Sequence, residues 1–469
     1  MVTPKHTPLE SMRKAQMELS RTVSSAGVVK RTKVRYVILL MIFVITTFNY
    51  ADRATLSITG SAMRTEFGFD AIKMGYIFSA FSWAYVLSQL PAGSLLDRFG
   101  ARRVYAASIF LWSVFTLLQS SIGFAGSAAS AVIALFVLRF AMGMAEAPAF
   151  PANAKVVASW FPTAERGTAS AIFNAAQYFA AVIFTPLMAW ITHAYGWQHV
   201  YMVMGAAGIV LALTWLRVMK NPGEHPRINQ AELAYIQEGG GLVDASSKVK
   251  AAVPHQVSSW FYVRQLLTNR MLMGVYLAQY CINVLTYFFL TWFPIYLVQA
   301  RHMTILQAGL TASLPAICGF TGGVLGGVFS DALIRRGHSL TVARKVPIVG
   351  GMLLSVSIIG CNYVTSDWVV VALMSLAFFG KGIGALGWAV VADTSPKEAI
   401  GLSGAIFNMF GNVAGIVTPI VIGYLVATSG GSFNGALVFV GINAILTIFS
   451  YLVIVKSIKR VVLRDPSIT

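Results

Sequence analysis

Twelve separate runs of this chain, each about 20 residues or longer, are predominantly apolar, and a run of that length is what a helix needs to cross a bilayer. They fall at Val37–Thr59, Met74–Leu96, Val104–Gly123, Val132–Trp160, Gly167–Ile191, Val200–Val218, Leu272–Val298, Ala308–Leu333, Val346–Tyr363, Val369–Ala392, Gly401–Val426 and Gly435–Val455. Porin-type barrel strands are excluded, because they run about 10 residues with alternating polarity. With 57% hydrophobic and only 11% charged residues among 469, the chain is too apolar for a water-soluble globule. The expected class is an all-α, multi-pass membrane protein.

The formal charge of +18 does not indicate nucleic acid, because of where it sits. "KRTKVR" precedes the first run, "DRFGARR" follows the second, "AERG" the fourth, "RRG" and "ARK" flank the loop after the eighth, and "KSIKRVVLR" ends the last. Basic residues on alternate loops mark the cytoplasmic side, and an even number of spans puts both termini there. The first residues lack the apolar core of a removable signal. Cys281, Cys318 and Cys361 lie inside apolar runs without metal-type spacing, and the seven histidines do not cluster, so neither disulfide, metal, cofactor nor enzymatic chemistry is expected.

The chain also repeats itself. "AIFN" at 171–174 recurs at 405–408, and the same shift of 234 carries Gly167 to Gly401, Pro162 to Pro396, Gly93 to Gly327, Asp97 to Asp331 and Arg102 to Arg336. Two pseudo-symmetric six-helix halves follow: a tail over 1–35, a bundle over 36–220, a polar linker over 221–270, a second bundle over 271–456 and a tail over 457–469. Within the linker, "INQAELAYIQEG" has helical periodicity and a glycine stop, and reads as a short surface helix in a tether.

Charges inside the runs are the functional candidates, since each costs at least about 2.5–3.5 kcal/mol at the bilayer centre. They are Asp52 and Arg53 in span 1, Arg139 and Glu146 in span 4, and Lys381 in span 10; Asp393 falls at a span end and reads as structural. Arg139 and Glu146, seven apart, share a helix face, as do Tyr50 and Arg53, whereas Asp52 points about 100° from Arg53. One reading is a structural network in which the acids and bases neutralise each other. The other divides the labour. Arg53, a planar bidentate donor, clamps a carboxylate with Tyr50 and Tyr85 beside it, while Asp52 or Glu146 carries a proton and Arg139 pairs with the ionised acid. Gln177, Asn174, Asn408 and Asn412 either bond substrate hydroxyls or tie helices together. Lys381, with Trp388 seven residues on and so on the same face of a continuous helix, either supplies a second anion site or reaches to the membrane surface. "GIGALG" in the same run lies in an apolar helix and is not a nucleotide loop.

Two sets of residues carry a resemblance. "GSLLDRFGARR" matches the loop pattern between the second and third helices of the major facilitator superfamily, in which Gly93 allows close approach and Asp97, Arg98, Arg102 and Arg103 offer latching ion pairs. "FNYADRATLSI", "RFAMGMAEAPAFPANAKVVASWFPTAERGTASAIFNAAQYFA", "YCINVLTYFFLTWFPIYLVQAR" and "FFGKGIGALGWAV" resemble its anion:cation symporters, nearest to bacterial glucarate/galactarate transporters. The resemblance implies a major facilitator fold and a monomeric proton symporter of the inner membrane that imports an aldarate. It implies Arg53, Tyr50, Tyr85, Gln177, Asn408 and Trp388 as substrate contacts, and Asp52 and Glu146 as proton sites with Arg139 as partner. Where related galactonate-type symporters carry small hydroxylated residues before the span-10 Trp, this chain has Ala385 and Gly387, and it gains Lys381, which favours a diacid. Other sugar acids of galactonate or hexuronate type, anion exchange, and a transporter-like membrane sensor are the alternatives.

Overall fold

The computed structural model describes residues 31–243, 259–396 and 399–463. Most of the 1–35 tail, the middle of the linker and the end of the 457–469 tail therefore lie outside the described residues. The described residues are helical throughout, without strands. The first half of the chain forms α1 (Val34–Phe67), α2 (Ala71–Phe99), α3 (Ala101–Gln119), α4 (Ala128–Glu146), α5 (Ala149–Trp160), α6 (Arg166–Tyr195) and α7 (Trp197–Val218). The linker contributes α8 (Gln230–Glu238) and α9 (Ser259–Thr268). The second half forms α10 (Arg270–Tyr287), α11 (Phe293–Gln299), α12 (Ile305–Arg335), α13 (Leu340–Ser355), α14 (Asp367–Ile383), α15 (Gly387–Thr394), α16 (Ile400–Thr428) and α17 (Asn434–Phe449).

Among the described residues, eleven helical stretches are long and apolar enough to cross a membrane. The second predicted span, α2, is a 29-residue helix that is long enough but more polar, with Lys73, four serines, Gln89, Asp97 and Arg98 along it. It packs between α4 and α16, where Ser79 and Ser82 are buried, while Lys73 and Arg98 near its two ends are exposed.

Two predicted single spans are broken. Span 4 divides into α4 and α5 at Ala147–Pro148, where the proline ring cannot continue the ladder. Span 10 divides into α14 and α15 at Gly384–Leu386. The seven-residue spacing of Lys381 and Trp388 therefore does not place them on one face, because three residues between them are not helical. A π turn at Phe288–Trp292 similarly joins α10 to α11.

The helices converge at the end opposite the linker, hereafter the distal end. There a Cβ on Gly75 of α2 would lie 2.6 Å from the Pro419 carbonyl of α16, and one on Gly423 of α16 2.6 Å from that of Ala71. The hydroxyls of Tyr76 and Tyr424 stand 3.1 Å apart, and the Trp292 indole donates to the Pro419 carbonyl at 3.2 Å. Gly309 of α12 is pressed in the same way against Thr185 and Ala189 of α6. At the linker end the packing is looser: a Cβ on Gly93, Gly167 or Gly327 would meet nothing within 4 Å. The molecule is thus sealed distally and splayed at the linker end.

Helix α8 is more than the tether its sequence implied. Its Glu232 is fully buried and accepts from Thr32 Oγ1 at 2.6 Å, Val34 N at 3.1 Å, Arg35 N at 3.3 Å and Arg35 Nη1 at 3.1 Å. Lys33, at the N-cap of α1, provides no side-chain cap, so Glu232 satisfies those orphan amides from almost 200 residues away. Arg35 also pairs with Glu165 at 3.2 Å, to which Tyr235 donates at 2.6 Å. Removing one partner of a buried ion pair costs about 3–5 kcal/mol. Glu232→Ala should therefore lower the unfolding temperature of the detergent-solubilised protein by several degrees; an unchanged temperature would return the linker to a tether.

Candidate substrate and proton site

Arg53 lies mid-way along α1 and is buried where α1, α2 and α4 meet. Its guanidinium carbon sits 5.1 Å from the Tyr50 ring centre, 4.7 Å from Phe81 and 5.0 Å from Tyr85. Three aromatic faces around one guanidinium hold the cation away from water by quadrupole attraction. Its Nε donates to Glu146 Oε2 at 2.9 Å. The second Glu146 oxygen and Arg53 Nη2 are buried without a hydrogen-bond partner among the described residues.

The sequence reading left open whether Arg139 pairs with Asp52 or with Glu146, and here Glu146 pairs with Arg53. Arg139 does share the buried face of α4 with Glu146, but it makes no ion pair among the described residues, and its Nε and Nη1 are unpartnered. Asp52 is turned away from Arg53, as the 100° offset requires, and both its oxygens are also unpartnered. The charges acting on Asp52 are those of Glu146 and Arg139. Asn49, one turn earlier on α1, is likewise buried with neither amide atom bonded. Asn49, Asp52 and Arg139 are thus further buried polar groups on the same two helices as the Arg53–Glu146 pair. Buried polar groups left unmade cost about 1–3 kcal/mol each, and several of them gather here.

Lys381, in the last turn of α14, is 5% exposed. Its ammonium is 5.2 Å from the Phe378 ring centre and 5.8 Å from that of Tyr178, which belongs to α6 in the other half of the chain. Gly380 and Gly382 beside it are packed against the backbone of α13 and α12, which fixes the lysine between them.

A cavity of about 80 Å³ is lined by Tyr50, Ser57, Gln177, Tyr178, Thr286 and Phe378 among others, and neither Arg53 nor Lys381 is itself in the lining. Tyr50 bounds it on the Arg53 side and Tyr178 with Phe378 on the Lys381 side. It is far smaller than the roughly 300–1,000 Å³ of ordinary ligand pockets, so a sugar-sized molecule requires neighbouring side chains to move.

Comparison with known proteins identifies the architecture. Residues 42–343 match the family described as the Major Facilitator Superfamily. The chain belongs to the major facilitator superfamily. It is 64% identical over 446 residues to a probable galactarate/D-glucarate transporter of Bacillus subtilis (strain 168), covering 94% of this chain and 96% of that one. A probable galactarate/D-glucarate transporter of Escherichia coli (strain K12) is 59% identical over 447 residues, covering 95% and 98%. A D-galactonate transporter of Escherichia coli O6:H1 is 42% identical over 429 residues, covering 91% and 97%. Among solved structures, a D-xylose-proton symporter superposes with a TM-score of 0.68 at 16% identity, covering 90% of this chain and 98% of that one, and so shares the fold. The protein is a multi-pass membrane transporter and not an enzyme.

As a superfamily member it carries the expected loop after the second span, with the turn at Gly100 in the left-handed region, φ +79°. Gly93 faces open space, so the close approach expected of it is not made in this conformation. Arg98 and Arg103 are exposed, and Arg102 donates to the Leu216 carbonyl of α7 at 2.7 Å rather than to a carboxylate. The side chain of Asp97 lies outside the described residues. At the repeat-related loop, Arg344 of α13 pairs with Asp393 at 2.8 Å and lies 3.8 Å from Asp331.

The remaining candidates divide. Gln177 lines the cavity, and Tyr85 flanks Arg53. Asn408 accepts from Asn412 Nδ2, at 2.9 Å to its carbonyl and 3.3 Å to its side chain. Trp388 is 56% exposed, edge-on to Phe407 at 5.0 Å and outside the cavity lining. Tyr178 and Tyr287 were not singled out from sequence; Tyr287 OH donates to Asn412 Oδ1 at 3.1 Å. The signal that finds Tyr287 is the polar stripe Gln279, Asn283, Tyr287, spaced by four along α10.

Proposed function

We propose that the protein is a proton-coupled symporter that imports sugar diacids of the galactarate or glucarate type across the bacterial inner membrane by alternating access, as a monomer with both termini in the cytoplasm. The observation that carries this reading is the cavity whose lining residues flank two buried cations, Arg53 and Lys381, one in each half of the chain. A six-carbon acid with a carboxylate at each end matches two cations in charge, once neighbouring side chains move to admit it, and the printed names of the 64% and 59% identical relatives support the reading.

The Arg53–Glu146 pair supplies the coupling. A substrate carboxylate competes with Glu146 for the guanidinium, and Glu146 releases it at least cost when it takes up a proton, since a lone carboxylate would otherwise stay buried. Asp52, beside Arg139, is a second proton site. Coupling is also required by charge: importing a dianion against a negative interior opposes about 2.3 kcal/mol per charge per 100 mV, and accompanying protons remove that cost. With the distal end sealed and the linker end splayed, this conformation is the one open to the cytoplasm.

The test is Lys381→Gln in proteoliposomes. The affinity for galactarate should fall about tenfold or more, the worth of a hydrogen bond to a charged group, while that for the monoacid galactonate changes little. Equal weakening of both acids would contradict a second-carboxylate role.

A further inference from the structure

The two cations account for the ends of a sugar diacid and leave its hydroxylated middle unread. We propose that Gln279 and Asn283 of α10 are the specificity-determining residues that recognise those hydroxyl groups. This rests on the substrate reading above.

Gln279, Asn283 and Tyr287 are spaced by four, so they form one stripe on a helix whose neighbouring positions, Val275, Ala278, Ile282, Val284 and Leu285, are buried and apolar. Tyr287 at the distal end of the stripe is spent on Asn412. The two amides are not: both are half-buried, and neither makes a hydrogen bond to another described residue. If they served to tie helices together, each would need such a partner, as Tyr287 has.

Two glycines on two other helices make room for them. A Cβ on Gly387 of α15 would lie 2.8 Å from Gln279 Oε1 and 2.6 Å from the Phe407 ring, and one on Gly411 of α16 would collide with Asn283 Nδ2. The amides thus occupy space that any larger residue at either position would claim. Neither amide lines the 80 Å³ cavity; they lie against the helix that also presents Asn408 and Asn412, on the side toward the splayed linker end.

The chemistry matches. A primary amide has two donors and an acceptor, and a hydroxyl both donates and accepts, so amides can read a row of hydroxyls without adding charge. A site built to bond hydroxyls discriminates strongly against an analogue lacking them, because its polar groups are then left unpaired.

The experiment measures binding of galactarate and of adipate, the six-carbon diacid without hydroxyls, to the purified full-length transporter. Gln279→Met and Asn283→Leu preserve side-chain size while removing the amide. Each should lower the ratio of galactarate to adipate affinity by about tenfold, with adipate itself little changed. An unchanged ratio, whether from no effect or from equal loss of both ligands, overturns the proposal. If one variant fails to fold, the other gives the same readout. Wild-type galactarate binding is read first: its absence overturns the substrate reading, whereas its presence with unshifted variants overturns the amide proposal alone.

Discussion

Glu146→Gln should abolish accumulation driven by a pH gradient while preserving exchange of labelled for unlabelled substrate. Glutamine keeps the volume and one acceptor oxygen toward Arg53 Nε, 2.9 Å away in the present pair, but it cannot be ionised. Arg53 is then permanently available to a substrate carboxylate, and the alternation that ties its release to a proton is gone. Each unit of pH difference is worth about 1.4 kcal/mol, a tenfold accumulation, per coupled proton, so the loss is large and easily read. Exchange needs only the conformational change of the loaded carrier and continues. Full pH-driven accumulation by this variant would remove Glu146 from the proton path.

Arg53→Lys should weaken substrate binding by about a hundredfold. The lysine keeps the charge opposite Glu146, so the cost of an unpaired buried carboxylate, about 3–5 kcal/mol, is avoided and the protein should fold. What it loses is the planar fork. A guanidinium can hold Glu146 through Nε while its unpartnered Nη2 is turned to a second oxygen, and it lies between the Tyr50, Phe81 and Tyr85 faces in a way a compact ammonium cannot. Binding by the purified variant, with its thermal stability measured beside it, checks this. Near wild-type affinity would mean that Arg53 serves the helix interface and not the ligand.

The architecture was legible because its causes are long-range averages. Apolar runs of span length, basic loops on alternate turns and a half-chain repeat survive local irregularity, and they gave α1 to α7 and α10 to α17 their approximate places. Interruptions were not legible where the residues stay apolar: the break at Gly384–Leu386 and the π turn at Phe288–Trp292 lie inside runs of unbroken hydrophobicity. The break matters, since it undoes the shared face assumed for Lys381 and Trp388.

At the site, positions along one helix were readable and contacts between helices were not. The offset between Asp52 and Arg53 follows from helical geometry and is present. Which base takes Glu146 depends on how α1 and α4 cross, and no spacing encodes it; the pair forms with Arg53, leaving Arg139 to the Asp52 side. The burial of Glu232 was equally hidden, because its partners at Thr32 to Arg35 are about 200 residues away in the chain. Gln279 and Asn283 escaped notice among charged candidates because a neutral amide in a membrane helix is a common packing group. It is their lack of partners, visible only in three dimensions, that distinguishes them.

The central claim is that the site couples a diacid to protons, and the most direct measurement is substrate-induced proton movement in proteoliposomes carrying a trapped pH indicator. Adding galactarate outside should acidify the lumen, and labelled galactarate should accumulate further when the outside is made acidic and remain at equilibrium when the gradient is collapsed. Galactarate entry that moves no protons and ignores the gradient would contradict the account.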